Sequence, residues 1–148
     1  MTNLFKLTSA ILLASMLFIS CEKDEEENKL TISDVVAENH DGGTDISPGG
    51  TISVNFNATA GEARLDFYHI EIHDHPESGL VEDEYKIIDA DFKDKSTFKG
   101  LRNAFVHEHV IVPENANPGP YHVVIVVIDE DGYSVNTEHL DTHITVVD

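Results

Sequence analysis

The sequence predicts an all-β antiparallel sandwich of about seven short strands, on three observations. Apolar and polar residues alternate over short runs, the period of a half-buried strand. Turn-forming clusters separate those runs: Asp41-Gly-Gly, Ser47-Pro-Gly-Gly, Asn117-Pro-Gly-Pro and Asp129-Glu-Asp-Gly. No segment of that region sustains a helical period. Short strands punctuated in this way bury their apolar faces by packing as two sheets.

Leu30-Thr-Ile32 opens the first strand. In the second, Ile52, Val54 and Phe56 alternate with Ser53, Asn55 and Asn57. In the third, Tyr68, Ile70 and Ile72 alternate with His69, Glu71 and His73. A shorter pattern covers Tyr85–Ile88, inside a long insert, Pro76–Arg102, that is the expected presenting surface for any partner. The fifth strand, Ala104–Val112, has two readings. Either Val106, Glu108, Val110 and Val112 face the core, or Phe105, His107, His109 and Ile111 do. The first buries a carboxylate and the second two imidazoles, and each is costly unless satisfied. Tyr121–Ile128 is almost continuously apolar and β-branched, as a central strand is. Ile144–Val147 closes the chain.

The run from Pro113 through Asn117-Pro-Gly-Pro-Tyr121 leads into that central strand, which ends at Asp129-Glu-Asp-Gly132. It resembles the penultimate-strand signature of immunoglobulin-like modules, and implies an immunoglobulin-like sandwich. That likeness concerns fold and not function.

At the N-terminus, Lys6 closes a short polar start, Leu7–Ile19 is apolar, and Ser20 precedes Cys21, the single cysteine. The apolar run is shorter than the ~20 residues of a membrane span and reads as a cleaved export signal. Phe18-Ile19-Ser20-Cys21 resembles the bacterial lipobox, in which the cysteine is diacylated and becomes the mature N-terminus. The expected organisation is therefore a signal peptide over 1–20, lipidated Cys21 with an acidic tether over 21–28, and the sandwich over 29–148. The charged run Glu22–Asn28 reads at its simplest as a solvated leash. Cys21-Glu22-Lys23-Asp24-Glu25 also resembles the acidic tag that sends Bacteroidota lipoproteins to the cell surface, which implies an outer-membrane lipoprotein displayed there.

Other segments are His40-Asp-Gly-Gly-Thr-Asp45, Ser47-Pro-Gly-Gly, Ile70-Glu-Ile-His73-Asp-His75, Val106-His-Glu-His109 and Pro118-Gly-Pro-Tyr-His122. With the lipobox, they resemble one uncharacterised Bacteroidota lipoprotein family that has an immunoglobulin-like domain and no known function. The resemblance implies that the histidine-bearing motifs are typical of the group. It implies no activity, and the stretch after His75 is poorer in histidine than the group's pattern.

Charge narrows the partners. A formal net charge of −19 repels nucleic acid and anionic lipid, so nucleic-acid binding is excluded and anchoring falls to the acyl chains. With Cys21 lipidated, the mature domain has no disulfide and no thiol chemistry. Met1 and Met16 both lie in the signal segment, so a metal site must use imidazole, carboxylate or backbone oxygen.

Nine histidines equal the nine lysines and arginines together. Two His-x-His pairs occur, His73/His75 and His107/His109, with His122 on the central strand and His40 beside Asp41. Residues i and i+2 of a strand share a face about 6.6 Å apart. Two imidazoles so spaced can converge on one ion at ~2.0–2.1 Å. In an immunoglobulin-like topology the strand ends bearing these residues gather at one pole. Placing Tyr121, Val123, Ile125 and Val127 in the core turns His122 outward, beside His73. The candidate ligands are His73, His75, His107, His109, His122 and His40, in one site or two, whereas His69, His139 and His143 are least suited. The plainer alternative is surface histidine that relieves an acidic face. Imidazole donors, with Asp74 or Glu108 near, favour a divalent transition metal of the Zn or Cu class.

The leading expectation is a membrane-anchored, non-enzymatic module that holds such a metal beside an outer-membrane uptake system or surface protein. The alternative is a recognition or structural module that binds a protein or glycan partner. The absence of Trp makes an aromatic glycan platform a poor fit. A third reading, calcium at Asp89, Asp91, Asp94, Asp129 and Asp131, lacks EF-hand spacing. Catalysis is not expected: there is no nucleophile motif, phosphate loop or His-Glu-x-x-His helix, and a small sandwich encloses little space.

Overall fold

The structure, a computed structural model, describes residues 29–148, so the lipobox, Cys21 and the acidic tether lie outside the described residues. Nine strands follow in order: β1 Thr31–Asn39, β2 Asp45–Ile46, β3 Thr51–Thr59, β4 Leu65–Asp74, β5 Lys86–Phe92, β6 Asn103–Ile111, β7 Gly119–Asp129, β8 Ser134–Asn136 and β9 His143–Val146. They form an all-β sandwich with one sheet ordered β1-β3-β6 and the other β2-β9-β7-β4-β5, β8 pairing with β7. The strands beyond the expected seven include β2 and β8, two and three residues long and so too short to show an alternation. The β2–β9 pair is parallel, which makes the larger sheet mixed rather than wholly antiparallel. No described helix is long and apolar enough to cross a membrane.

The inward faces follow the expected phase. Ile52, Val54 and Phe56 of β3, Tyr68, Ile70 and Ile72 of β4, and Tyr121, Val123, Ile125 and Val127 of β7 are all buried. Tyr68 anchors the centre: Phe56 and Phe98 meet it edge-on at 5.5 and 4.8 Å, and Phe92 stacks on it at 4.9 Å. The Pro76–Arg102 insert is thus partly structural, since β5 pairs antiparallel with β4 and Phe98 is buried.

On β6 the first of the two facings is found. Val106 and Val110 are buried, while Phe105 and Ile111 are 65% and 60% exposed. Glu108 faces the interior and is satisfied there, accepting hydrogen bonds from the Tyr68 hydroxyl and from Lys95 Nζ at 2.7 Å. Burial, reinforced by the Glu108 carboxylate, holds the Tyr68 hydroxyl protonated well above the usual phenol range.

After β8 the chain continues alongside β7 with its own anchor. Buried Thr137 accepts the Ile125 N–H at its Oγ1, 2.9 Å away. Thr137→Val keeps the shape and orphans that amide. We expect a loss of about 1–3 kcal/mol, read from the urea midpoint at unchanged slope.

Strand order also sets one end of the molecule. β1, β4, β6 and β9 finish there, and β3 and β7 begin there, since each antiparallel pairing reverses direction and the chain runs from the end of β1 through β2, parallel to β9, into the start of β3. This is the end at which the histidines gather.

Candidate metal centre

Register builds the site. His73 on β4 lies opposite His122 on β7, and His122 lies opposite His143 on β9. These positions have the phase opposite to the buried Ile72, Tyr121 and Ile144, so the three imidazoles form a row on the outer face of the larger sheet. His75, just past β4, completes the group. Ring centroids are 5.5 Å apart for both His73–His75 and His73–His122, and 5.7 Å for His75–His122. One ligand nitrogen from each of His73, His75 and His122 lies within 4.8 Å of the other two. His73 and His122 are each only 6% exposed, whereas His75 is open to solvent.

Neighbouring acceptors orient the rings. His122 Nε2 donates to the Leu140 carbonyl at 2.9 Å, which leaves Nδ1 with a free lone pair. His143, whose ring stacks on His122 at 5.0 Å, has its Nδ1 3.0 Å from Asp141 Oδ1. Such second partners are how proteins fix the tautomer of a metal-binding imidazole. His73 differs. Its Nδ1 lies 3.0 Å from Glu71 Oε1, yet the alignment makes no hydrogen bond and this buried nitrogen has no partner. Leaving it so costs about 1–3 kcal/mol, which a cation drawn to that nitrogen would recover.

Two further groups bring ligand atoms equally close, His69/Glu71/Asp89 and Glu71/His73/Glu84. There Glu71 and Asp89 already have a cationic partner. Lys86 Nζ sits 3.0 Å from Glu71 and 2.9 Å from Asp89, and its ammonium holds the Asp89 carboxyl below the usual carboxylate range. His69 is held between Asp89 at 3.3 Å and Asp91 at 2.9 Å. The three-imidazole group has no such internal cation among the described residues.

The other expected ligands lie on the opposite sheet. His107 and His109 project from the outer face of β6 with their Nε2 atoms 2.9 Å apart, and the His40 ring meets His109 edge-on at 4.6 Å. His107 Nδ1 is bonded to Asn55 Oδ1 and His40 Nδ1 to Ser53 Oγ. The six candidates therefore share one end of the sandwich but divide into two faces, three on each. His143, ranked among the least suited in sequence, lies beside the first group because of the β7–β9 register but is not one of the three residues whose ligand nitrogens converge. His69 is tied into ion pairs, and His139 is exposed beyond β8. Of the carboxylates considered for calcium, Asp129 caps its own turn, accepting the N–H groups of Asp131 and Tyr133 at 3.0 and 2.9 Å. Asp91 pairs with Lys93 at 2.8 Å.

Comparison with known proteins agrees on fold. A DUF4466 family protein from Parabacteroides merdae superposes with a TM-score of 0.50 at 10% identity, covering 80% of this chain and 45% of that one. The alkylpurine DNA glycosylase AlkC of Pseudomonas fluorescens scores 0.45 at 10% identity over 82% of this chain and 31% of its own. Spo0M, a sporulation control protein of Bacillus subtilis, scores 0.45 at 9% identity over 79% and 48%. The chain thus spans less than half the length of each of these structures. No curated protein matches the sequence. A family profile matches residues 19–147, nearly the whole chain, and by it the protein belongs to the family described as Domain of unknown function (DUF4625).

Proposed function

We propose that this β-sandwich is a membrane-anchored, non-catalytic module that binds a divalent transition metal of the Zn or Cu class through His73, His75 and His122. The observation that carries the reading is the convergence of three imidazole nitrogens within 4.8 Å, two of the rings being buried. Burying two histidines on a sheet's outer face is unfavourable without partners, and a cation ligated by His73 and His122 offsets that cost. Donor chemistry supports the metal class, because neutral imidazoles suit Zn²⁺ and Cu²⁺ and offer little to Ca²⁺. Three protein ligands leave a coordination position for water or for a ligand handed over by a partner.

In this reading the lipid on Cys21 and the acidic leash hold the module at the outer-membrane surface, within reach of an uptake system or surface protein that receives or donates the ion. The test is elemental analysis of Lys29–Asp148, which carries every described strand, purified without a polyhistidine tag. At least one transition-metal ion per chain is expected after zinc or copper loading and gel filtration, and His73→Ala/His122→Ala should retain one fewer per chain. Ligation requires neutral imidazole, so retention falls as the pH is lowered. A chain that retains no ion at micromolar free metal, about −8 kcal/mol, rejects the reading and returns the recognition module to first place.

A further inference from the structure

Exposed sheet edges invite pairing with another chain, and proteins guard them with bulges, charges or short strands. Three of the four ends of the two sheets are guarded here. β1 is interrupted by a bulge between Ser33 and Val36, with Asp34 at φ 53°. β2 is two residues long, and β5 carries Lys86, Asp89 and Asp91. β6 is the least guarded, its one charge, Glu108, pointing inward to Lys95. All nine of its residues pair with β3 in unbroken register, and it contains neither proline nor lysine. Among the described residues, no backbone hydrogen bond from outside β3 reaches Asn103–Ile111.

The face of this edge is equally unusual. In a chain with 28 acidic residues, β3 and β6 present no Asp, Glu, Lys or Arg on their outer side. What β6 presents is Phe105, His107, His109 and Ile111, an apolar-His-His-apolar order that reads the same in both directions about Glu108. The histidine pair is also half of a site. Two ligand nitrogens 2.9 Å apart make up half of a tetrahedral set.

We propose that two copies of this chain pair antiparallel, β6 against β6, about a two-fold axis at Glu108, and that a divalent transition-metal cation bound by His107 and His109 of both copies closes the contact. A two-fold axis at that position sets His107 opposite His109 of the second copy and Phe105 opposite Ile111 of the second copy, as an isologous interface requires. Cross-strand neighbours on one face stand ~4.5–5.5 Å apart at Cβ, close enough for four imidazoles to converge on one ion. His107 Nδ1–H donates to Asn55 Oδ1, so its Nε2 lone pair now accepts the Nε2–H of His109. The cation replaces that proton, which passes through solvent to His109 Nδ1, and both rings stay neutral. Copies each bearing a net charge of −19 repel one another, so pairing depends on the cation.

The experiment is sedimentation velocity on the full chain, purified without a polyhistidine tag in mild detergent, in EDTA and in a molar excess of zinc. The protein mass per particle is expected to double with zinc and to return to one copy in EDTA. His107→Ala/His109→Ala should stay single in zinc. Phe105→Lys, which restores a guard to the edge while keeping both imidazoles, should need more zinc to pair. His73→Ala/His122→Ala should double like the wild type. Pairing that persists in EDTA, pairing that survives loss of His107 and His109, or a wild-type chain that stays single in zinc would each overturn the proposal. Failure of the His73 reading shows separately, as equal zinc uptake by the wild type and the His73→Ala/His122→Ala variant.

Discussion

Replacing His122 by alanine is expected to weaken zinc or copper binding by more than about 100-fold, because loss of even an outer partner of a ligand costs 10–100-fold and His122 is placed as a ligand itself. Competition against a chromogenic chelator reads the change directly. His122 is the residue to choose since it sits between His73 and His143 in the strand register and its Nε2–H is committed to Leu140. Leu140 contributes a backbone carbonyl, so its own side chain can be changed without touching the site. His69→Ala is the control. It lies on the same face but is engaged by Asp89 and Asp91, and its loss should leave affinity unchanged.

The largest effect on stability is expected at Tyr68. Its ring is 2% exposed and touches Phe56, Phe92 and Phe98, so Tyr68→Ala should cost about 3–5 kcal/mol in urea unfolding. Part of that belongs to the hydroxyl, which donates to half-buried Glu108. Tyr68→Phe keeps the packing and removes that donor, leaving Glu108 with Lys95, for an expected loss of about 1–3 kcal/mol. Glu108→Gln in the Tyr68→Phe background tests the coupling. If the two residues act as a pair, the double variant is more stable than the sum of the single losses.

The parts of the fold legible in sequence are those set by a two-residue period. The phase of β4 and β7 follows from Tyr68, Ile70 and Ile72 and from Tyr121, Val123 and Ile125, and with it the outward placement of His73 and His122. What no local pattern carries is register between distant strands. The pairing of His122 with His143 depends on where β9 docks, and no local pattern places the His143 ring against His122. The β6 facing was undecidable for the same reason. The groups that make an inward-facing, half-buried Glu108 tolerable are Tyr68, 40 residues away, and Lys95, in the insert. The gathering of six histidines at one end could be foreseen from topology. Their division between two sheet faces could not, because it depends on which strands share a sheet.

The central claim, a metal held by His73, His75 and His122, is tested most directly by a zinc-soaked crystal of the sandwich recorded on both sides of the zinc absorption edge. The account predicts an anomalous peak among the three imidazoles, within ~2.0–2.1 Å of a nitrogen from each. An anomalous peak only at His107 and His109, or no peak on the outer face of the larger sheet, would contradict it.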